Sequence, residues 1–226
     1  MNSNFFGKLC IFLTALSIAA GQNNYAILVF SQQWPRTTCL QAGRQPNECN
    51  IPHNDWTIHG IWPSKNAPER GPFDCDTRNN LNARNLNGIR GQLNTRWLNV
   101  LNNNPVGFWS HEWRRHGTCS LDIQALNSQF KYFNQGLQWN NNYVIGNILN
   151  TGGIRPGGNY ALQDIQAALR RELNNFTPQV SCFKKDGRQF LHEVRICMTR
   201  TFALVNCANH IADTNCNRQL NIEYPR

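Results

Sequence analysis

Two separate segments of the sequence hold the side chains that could carry out acid–base chemistry. The segment Trp56–Pro63 contains His59, and the segment Phe108–Cys119 contains Glu112 and His116. On a helix, Glu112 and His116 are four residues apart and therefore share a face. Histidine titrates near neutral pH, so two histidines can supply both a general acid and a general base. The two segments therefore indicate a site in which two imidazoles and a carboxylate act together.

Cleavage of an RNA backbone is the reaction that these groups suit. A base must remove the 2′-hydroxyl proton, an acid must protonate the departing 5′-oxygen, and a cation must stabilise the charge on the phosphorane oxygens. His111 and Arg115 are also four residues apart, on a neighbouring face of the same predicted helix. They could supply the positive charge that this reaction needs.

Other interpretations of the same residues are open at this point. A lone histidine in a strand-like run, such as His59, is more often structural, and the second segment alone could be an exposed polar helix with an ion pair. A zinc-protease helix places its histidines four residues apart, whereas His111 and His116 are five apart and diverge. The combination of the two segments favours catalysis over each of these alternatives.

The charge of the chain is compatible with a polyanionic substrate. The 226 residues carry a formal net charge of +9, and 17 of the 22 basic residues are arginine. Arginine forks suit phosphate groups, and a positive field attracts polyanions. Solubility in an extracellular fluid would explain a basic protein as well, so charge alone does not identify the ligand.

The first residues have the features of a secretory signal peptide. Lys8 precedes the apolar run Leu9–Ala20, and Gly21 leads into a polar stretch. A membrane anchor is the alternative, but the run is shorter than the ~20 residues that a spanning helix needs. We expect a signal peptide at residues 1–21 and one secreted, extracellular domain at residues 22–226, with no membrane association.

The cysteines indicate disulfide bonds. Of the nine cysteines, Cys10 lies in the expected signal peptide and eight remain in the mature chain. An even number of cysteines in an exported protein favours disulfides, although many pairings are possible. Zinc is the competing use, and the wide spacings without a Cys-x-x-Cys pair argue against it. We therefore expect no metal site.

Hydrophobic patterning predicts the elements that must position these residues. Apolar, β-branched runs predict strands, and apolar residues at i, i+4 spacing predict helices. We expect strands at residues 25–34, 56–61, 189–198 and 201–207, helices at 88–101, 108–117, 122–139 and 160–173, and loops at 36–55 and 64–80. Helices flanked by strands at both ends predict an α+β domain.

Both chemistry-bearing segments resemble the two active-site segments of the ribonuclease T2 family. The resemblance covers nearly the whole mature chain, from Gln32–Pro35 to Cys216, and points to the plant branch that includes the self-incompatibility S-RNases. It implies an α+β fold in which a central antiparallel sheet packs against several helices, with four disulfides. It also implies a secreted endoribonuclease that cleaves single-stranded RNA through a 2′,3′-cyclic phosphate without a cofactor.

The resemblance assigns roles at the positions that match. His116 resembles the general base and His59 the general acid, and Glu112 would stabilise the pentacoordinate phosphate. Arg115 would act with Glu112, at a position where the family commonly has lysine, so the charge is retained on a larger, forked group. His111 matches a phosphate-binding histidine.

The resemblance also implies a base pocket, a disulfide pattern and a modification site. The RNA-binding positions correspond to Gln33, Asn99, Val100, Leu101 and Phe108. Stacking and amide hydrogen bonds to a base edge would explain this set, although Leu101 and Phe108 are alternatively ordinary core residues. The implied disulfides are Cys39–Cys49, Cys75–Cys119, Cys182–Cys216 and Cys197–Cys207. Asn175 begins the only glycosylation sequon, with Pro178 just after it.

Two hypotheses of function from different classes follow. The first is a monomeric endoribonuclease that acts on single-stranded RNA. The second is a recognition determinant, because S-RNases of the pistil are matched against pollen F-box proteins, and the basic charge favours that branch. A plant ribonuclease for defence or phosphate scavenging and a catalytically idle storage relative are the remaining alternatives.

Overall fold

A seven-stranded sheet lies at the centre of the fold. The computed structural model describes residues 24–52 and 55–226, and the expected signal peptide lies outside the described residues. The strands are β1 (Ile27–Gln33), β2 (Thr57–Ser64), β3 (Asn159–Tyr160), β4 (Gln179–Lys185), β5 (Arg188–Met198), β6 (Leu204–Val205) and β7 (Ile222–Glu223). The helices are α1 (Pro35–Gln41), α2 (Arg90–Arg96), α3 (Pro105–Arg115), α4 (Gln129–Asn142), α5 (Ile145–Thr151) and α6 (Leu162–Glu172).

Strand β5 organises the sheet. The strand order is β2–β1–β5–β7–β3, and β4 and β6 also pair with β5. All of these pairs are antiparallel except β5–β7. Nearly every residue of β5 is buried, although Gln189, His192, Glu193 and Arg195 alternate with its apolar residues. The predicted fold class, an α+β domain with a central, mainly antiparallel sheet packed against several helices, is confirmed.

Buried aromatic side chains fasten the helices to β2. The Trp97 indole donates a hydrogen bond to the His59 carbonyl at 3.0 Å, and the Trp109 indole donates to the Trp97 carbonyl at 2.7 Å. The Tyr132 hydroxyl, on α4, donates to the Ile61 carbonyl at 2.8 Å. Because each buried aromatic also satisfies its polar atom, these contacts fix the β2 backbone at His59 and at Ile61.

Four disulfides have the pairing that the resemblance implied. They are Cys39–Cys49, Cys75–Cys119, Cys182–Cys216 and Cys197–Cys207. The second of them joins the loop after β2 to the turn that follows α3. That turn comes directly after His116, so this bond lies beside one of the candidate catalytic residues.

Two predicted helices have different bounds in the structure. The helix expected at residues 88–101 is α2, which ends at Arg96, because the side chain of Asn99 bonds to the nearby backbone instead of allowing another helical turn. The helix expected at 108–117 is α3, which already begins at Pro105. The Asn104 side chain caps it by accepting the Gly107 N–H at 2.8 Å, and proline suits the first helical turn.

Other expectations are wrong in part. The helix expected at 122–139 begins only at Gln129, because Ser128 caps α4 by accepting the Lys131 N–H and residues 122–128 form turns. The loop expected at 36–55 begins with α1, whose first residue is Pro35. The strand expected at 201–207 is reduced to β6, and sequence patterning did not predict β4 or α5. Within the described ranges, no helix is long and apolar enough to cross a bilayer.

Candidate active site

His59 lies at a bulge in β2. Ser31 of β1 pairs with Gly60 and Gln32 pairs with Ile58, so His59 has no partner on β1. A bulge redirects a side chain out of the strand's regular alternation and is common beside active sites. The His59 side chain is 32% exposed, so it lies at the surface of the sheet and not in the core.

The C-terminal end of α3 carries the other candidate catalytic residues. The helix ends at Arg115, but the His116 N–H still donates to the Glu112 carbonyl at 3.0 Å. Glu112 is buried and His116 is half-buried, so the i, i+4 pair faces the protein interior, whereas the His111 side chain is 55% exposed. The shared face expected for Glu112 and His116 is therefore present.

Trp62 joins these groups into one cluster. Its ring centroid lies 5.0 Å from that of His59 and 5.6 Å from that of His116. Its indole N–H donates to Glu112 Oε2 at 3.1 Å. Sequence analysis did not assign Trp62 to the site, although its position three residues after His59 in the same segment was the available signal.

Gly60 is required by the close approach of this cluster to the β2 backbone. A Cβ atom at this position would lie 2.1 Å from Glu112 Oε2 and 2.3 Å from Trp62 Nε1. We expect Gly60→Ala to displace the carboxylate and to lower kcat for RNA by roughly 10–100-fold, because small misplacements of catalytic groups are costly. Steady-state kinetics with circular dichroism would test this, with Gly91→Ala as control, since a Cβ there meets nothing within 4 Å. Full activity in Gly60→Ala would contradict the expectation.

The surroundings shift the pKa values of the two histidines in opposite directions. Burial alone would lower the pKa of His59, but the Glu193 carboxylate, 2.6 Å from Nδ1, outweighs burial and holds that pKa above its ordinary value. Burial, together with the nearby charges of His59, His111 and Arg115, lowers the pKa of His116 to about 3. Groups whose pKa values are pushed apart in this way are suited to serve as acid and base.

Two further features agree with a neutral His116 and a protonated Glu112. The Nδ1 atom of His116 is buried and has no hydrogen-bond partner among the described residues, so charging the ring would leave an unsatisfied N–H. Burial raises the pKa of Glu112 to about 7. At mildly acidic pH, Glu112 is therefore a neutral acid that can donate a hydrogen bond.

These pKa shifts predict that activity is high over a wide pH range and falls only at its acidic and alkaline ends. A base acts when it is neutral, so kcat/KM for RNA should fall only as the pH approaches the His116 pKa of about 3. An acid acts when it is protonated, so the alkaline limb should lie above 6.5, the ordinary value, because the pKa of His59 is raised. A pH–rate profile would check this, and an acidic limb centred above pH 6 would contradict it.

Arg115 is held by the loop that follows β2. Its Nη1 donates to Asp74 Oδ2 at 2.7 Å, and its guanidinium carbon lies 4.1 Å from the Phe73 ring centroid. The Asp74 N–H donates in turn to the Arg115 carbonyl at 3.0 Å. The Phe73 ring also lies 5.7 Å from that of His116. The forked group that replaces the usual lysine is therefore oriented by an ion pair and an aromatic face.

Only some of the predicted base-pocket residues lie near the two histidines. The Phe108 ring lies 6.0 Å from that of His59, at the edge of the cluster. Gln33 is buried on β1, and its side-chain oxygen accepts the Thr38 hydroxyl at 3.0 Å. That bond leaves the Gln33 NH₂ group as the part able to donate to a base.

The other candidate pocket residues form a loop held by internal hydrogen bonds. Asn99 accepts the Leu101 N–H at 3.0 Å, and its NH₂ donates to Asn102 Oδ1 at 2.9 Å. The Val100 side chain is buried, and its carbonyl accepts the Asn50 N–H at 2.8 Å. Leu101 is half-buried. Asn99 therefore shapes this loop, and the Val100 side chain is not accessible to a base.

A cavity of about 620 Å³ opens beside the cluster. Trp62, His116 and Phe73 line one part of it, and Gln179 and Arg195 line another. Its size suits a nucleotide-sized ligand. Among residues 24–52 and 55–226, no three His, Cys, Asp or Glu side chains are grouped so that they could hold a metal ion.

Comparison with known proteins identifies the class to which this fold and site belong. The model of the ribonuclease T2 family matches residues 25–207. Ribonuclease Oy of Magallana gigas is 33% identical over 205 residues, covering 87% of this chain and 94% of the relative. Ribonuclease S-1 of Pyrus pyrifolia is 33% identical over 206 residues, covering 86% of each chain. The chain therefore belongs to the ribonuclease T2 family.

A solved structure of a related enzyme supports the same assignment. RNase NT in complex with 5′-AMP superposes with a TM-score of 0.76 at 25% identity, covering 89% of this chain and 98% of that one. The prediction of a T2-type RNA endonuclease is confirmed. The finer prediction of the plant branch is not decided by identity, because an animal relative and a plant relative are equally similar to this chain.

Proposed function

We propose that this protein is an endoribonuclease that cleaves single-stranded RNA to a 2′,3′-cyclic phosphate and then slowly hydrolyses that product. The observation that carries the proposal is the geometry of one cluster. The Glu193 carboxylate lies 2.6 Å from His59 Nδ1, His116 Nδ1 is buried without a hydrogen-bond partner among the described residues, and Trp62 contacts both rings. These surroundings raise the pKa of His59 and lower that of His116. This is the arrangement that transesterification needs, because the acid and the base act in the same step.

The roles follow from these states. Neutral His116 takes the proton of the 2′-hydroxyl, whose oxygen attacks phosphorus, and the bond from phosphorus to the 5′-oxygen breaks. His59 gives its proton to that leaving oxygen. In the second step the two residues exchange roles, His59 activating water and His116 protonating the 2′-oxygen.

The groups around the phosphate would stabilise the charge that develops on it. Glu112 in its neutral form donates a hydrogen bond to a phosphorane oxygen, which a carboxylate would repel. Arg115 supplies positive charge from the same helix, and His111, whose pKa burial and the neighbouring arginines lower, can donate a hydrogen bond as a neutral ring. Stacking on Phe108 and the NH₂ group of Gln33 would hold a base, and the related RNase NT was solved with a bound nucleotide.

A product assay tests this proposal. Purified protein should cleave a ribodinucleoside phosphate in EDTA and release the 2′,3′-cyclic phosphate, identified by ³¹P NMR. The matched substrate with a 2′-deoxyribose on the 5′ nucleoside should stay intact, because it lacks the attacking oxygen. Dependence on an added metal, or cleavage of the deoxy substrate, would overturn the mechanism.

We also propose that the protein is secreted as a monomer and carries a glycan. The apolar N-terminal run and the four disulfides support export. Asn175 is exposed in the loop after α6 and is thus accessible to glycosylation. Mass spectrometry of the protein from culture medium would show an N-terminus near residue 22 and a glycan lost in Asn175→Gln.

The self-incompatibility role is a second candidate function, within the plant branch. The net charge of +9 and the identity to a Pyrus ribonuclease S-1 favour it, whereas the equal identity to an animal relative does not. Pollen F-box proteins would then be partners, in addition to single-stranded RNA. Expression restricted to styles, with allelic variation, would support this role. Expression in starved leaves or roots would favour scavenging or defence.

A further inference from the structure

Two charged residues lie in the middle of the central strand β5. Glu193 is only 2% exposed, and Arg195 follows it two residues later on the same face of the strand. A carboxylate buried in the centre of a sheet is costly unless it is paired and hydrogen-bonded. The acid–base step described above does not use either residue, so their contacts require an explanation.

Every oxygen of the Glu193 carboxylate has a defined partner. Oε1 lies 2.6 Å from His59 Nδ1. Oε2 accepts two hydrogen bonds from Arg195, from Nε at 2.8 Å and from Nη2 at 2.6 Å. Arg195 Nη1 donates to Gln179 Oε1 at 2.9 Å. The guanidinium thus fixes the plane of the carboxylate, and one oxygen remains for His59 alone.

A second bulge lies beside Glu193, on the side of β5 that pairs with β4. On β4, Ser181 pairs with Glu193 and Cys182 pairs with Leu191, so His192 is left without a partner. His59 is the unpaired residue of the bulge in β2. The strand between β2 and β5 is β1, which pairs with β5 in a regular register, so the hydrogen bond between His59 and Glu193 crosses β1 next to the bulge in β2.

We propose that Glu193, oriented by Arg195, is a positioning residue for His59: it accepts the Nδ1 proton and thereby keeps the Nε2 proton available for the leaving oxygen. This inference rests on the proposed function, because His59 has a leaving group to protonate only if the site cleaves RNA. A carboxylate that orients a catalytic imidazole through Nδ1 is a known way to fix its tautomer and stabilise its charged form.

The charges around His59 support this assignment. The charged and titratable groups that act on its ring come from α3 and β5, namely His111, Glu112, His116, His192, Glu193 and Arg195. Burial opposes the charged ring, Glu193 favours it most strongly, and Glu112 favours it less. The positive charges of His59 and Arg195 in turn hold the pKa of Glu193 well below its ordinary value despite burial. Glu193 therefore stays ionised throughout the working pH range.

A buried ion pair between Glu193 and Arg195 could also stabilise the sheet without acting on His59. Substrates with different leaving groups distinguish this structural role from a positioning role. Nitrophenolate departs without a proton, whereas the 5′-oxygen of a nucleoside needs one. A residue that acts through the general acid should therefore matter for a dinucleotide and not for an aryl ester. A residue that only supports the fold should affect both substrates alike.

The test compares Glu193→Gln with wild type on UpA and on uridine 3′-(4-nitrophenyl phosphate). Glutamine keeps the size and one acceptor oxygen but removes the charge. We expect kcat/KM for UpA to fall roughly 10–100-fold and that for the aryl ester to fall less than about 3-fold. Glu172→Gln, which removes an exposed carboxylate on α6, is the matched control and should change neither. Equal losses on both substrates, or no loss on either, would overturn the proposal.

An NMR titration of the His59 ring tests whether Glu193 controls its protonation, and it does not require catalytic activity. The pKa of His59 should lie above its ordinary value in wild type and in Glu172→Gln and fall in Glu193→Gln. If Glu193→Gln does not fold, Glu193→Asp is titrated instead, and the tautomer of neutral His59 is determined in the wild-type protein. That neutral ring should carry its proton on Nδ1, and a proton on Nε2 would refute the pairing with Glu193. If wild type does not cleave RNA, the proposed function fails, while the titration still reports whether Glu193 controls His59.

Discussion

Replacing His116 with alanine is expected to lower kcat/KM for RNA by about 10²–10⁴-fold, the range that a general base contributes. The variant should fold, because His116 is half-buried at the end of α3 and its ring has no hydrogen bond at Nδ1 to lose. Removal of the ring also removes the group whose low pKa sets the acidic limb of the pH profile. Activity in His116→Ala should therefore rise with pH, limited by hydroxide or water acting as the base.

Comparison with His59→Ala separates the two roles. His59→Ala should lose most of its activity on a dinucleotide and keep most of its activity on the aryl ester, whose leaving group needs no proton. His116→Ala should lose activity on both substrates, because both require an ionised 2′-oxygen. His210→Ala is the control, since the His210 ring bonds to Asn66 and not to either catalytic histidine. Identical behaviour of His59→Ala and His116→Ala on both substrates would contradict the acid and base assignment.

The sequence predicted the arrangement of Glu112 and His116 because the spacing of residues along one helix determines it. Glu112 and His116 share a face whenever residues 105–115 are helical, and the structure has that helix. Trp62 was within reach of the same reasoning, because it lies in the segment that carries His59. Helix ends were predicted less well, since single caps such as Ser128 decide them.

The part of the site that the sequence could not predict depends on contacts between distant segments. Glu193 lies 134 residues from His59 along the chain, and their hydrogen bond crosses β1 beside the bulge that leaves His59 unpaired. Gly60, directly after the unpaired His59, is the kind of glycine that indicates a bulge in a strand, whereas no glycine or proline adjoins the unpaired His192. The glutamate within the predicted strand was the other visible sign, since such a residue needs a partner when it is buried.

The same dependence on distant contacts makes the Cys75–Cys119 disulfide important for activity as well as stability. The double variant Cys75→Ala/Cys119→Ala opens a loop of 44 residues. Loop-closure entropy predicts a loss of about 4 kcal/mol in the free energy of unfolding. For a domain of this size that corresponds to a fall in Tm of roughly 8–16 °C. Calorimetry on the oxidised proteins would measure it.

The Cys182–Cys216 bond provides a control matched in loop length. It closes a loop of 34 residues, so its removal should cost a similar amount, about 4 kcal/mol. Only Cys75 adjoins Asp74, the residue that orients Arg115. Well below both Tm values, Cys75→Ala/Cys119→Ala should therefore lower kcat by roughly 10-fold, because a misplaced guanidinium stabilises the phosphorane less well. Cys182→Ala/Cys216→Ala should keep its kcat, and equal kcat values in the two variants would show that the 75–119 bond does not position Arg115.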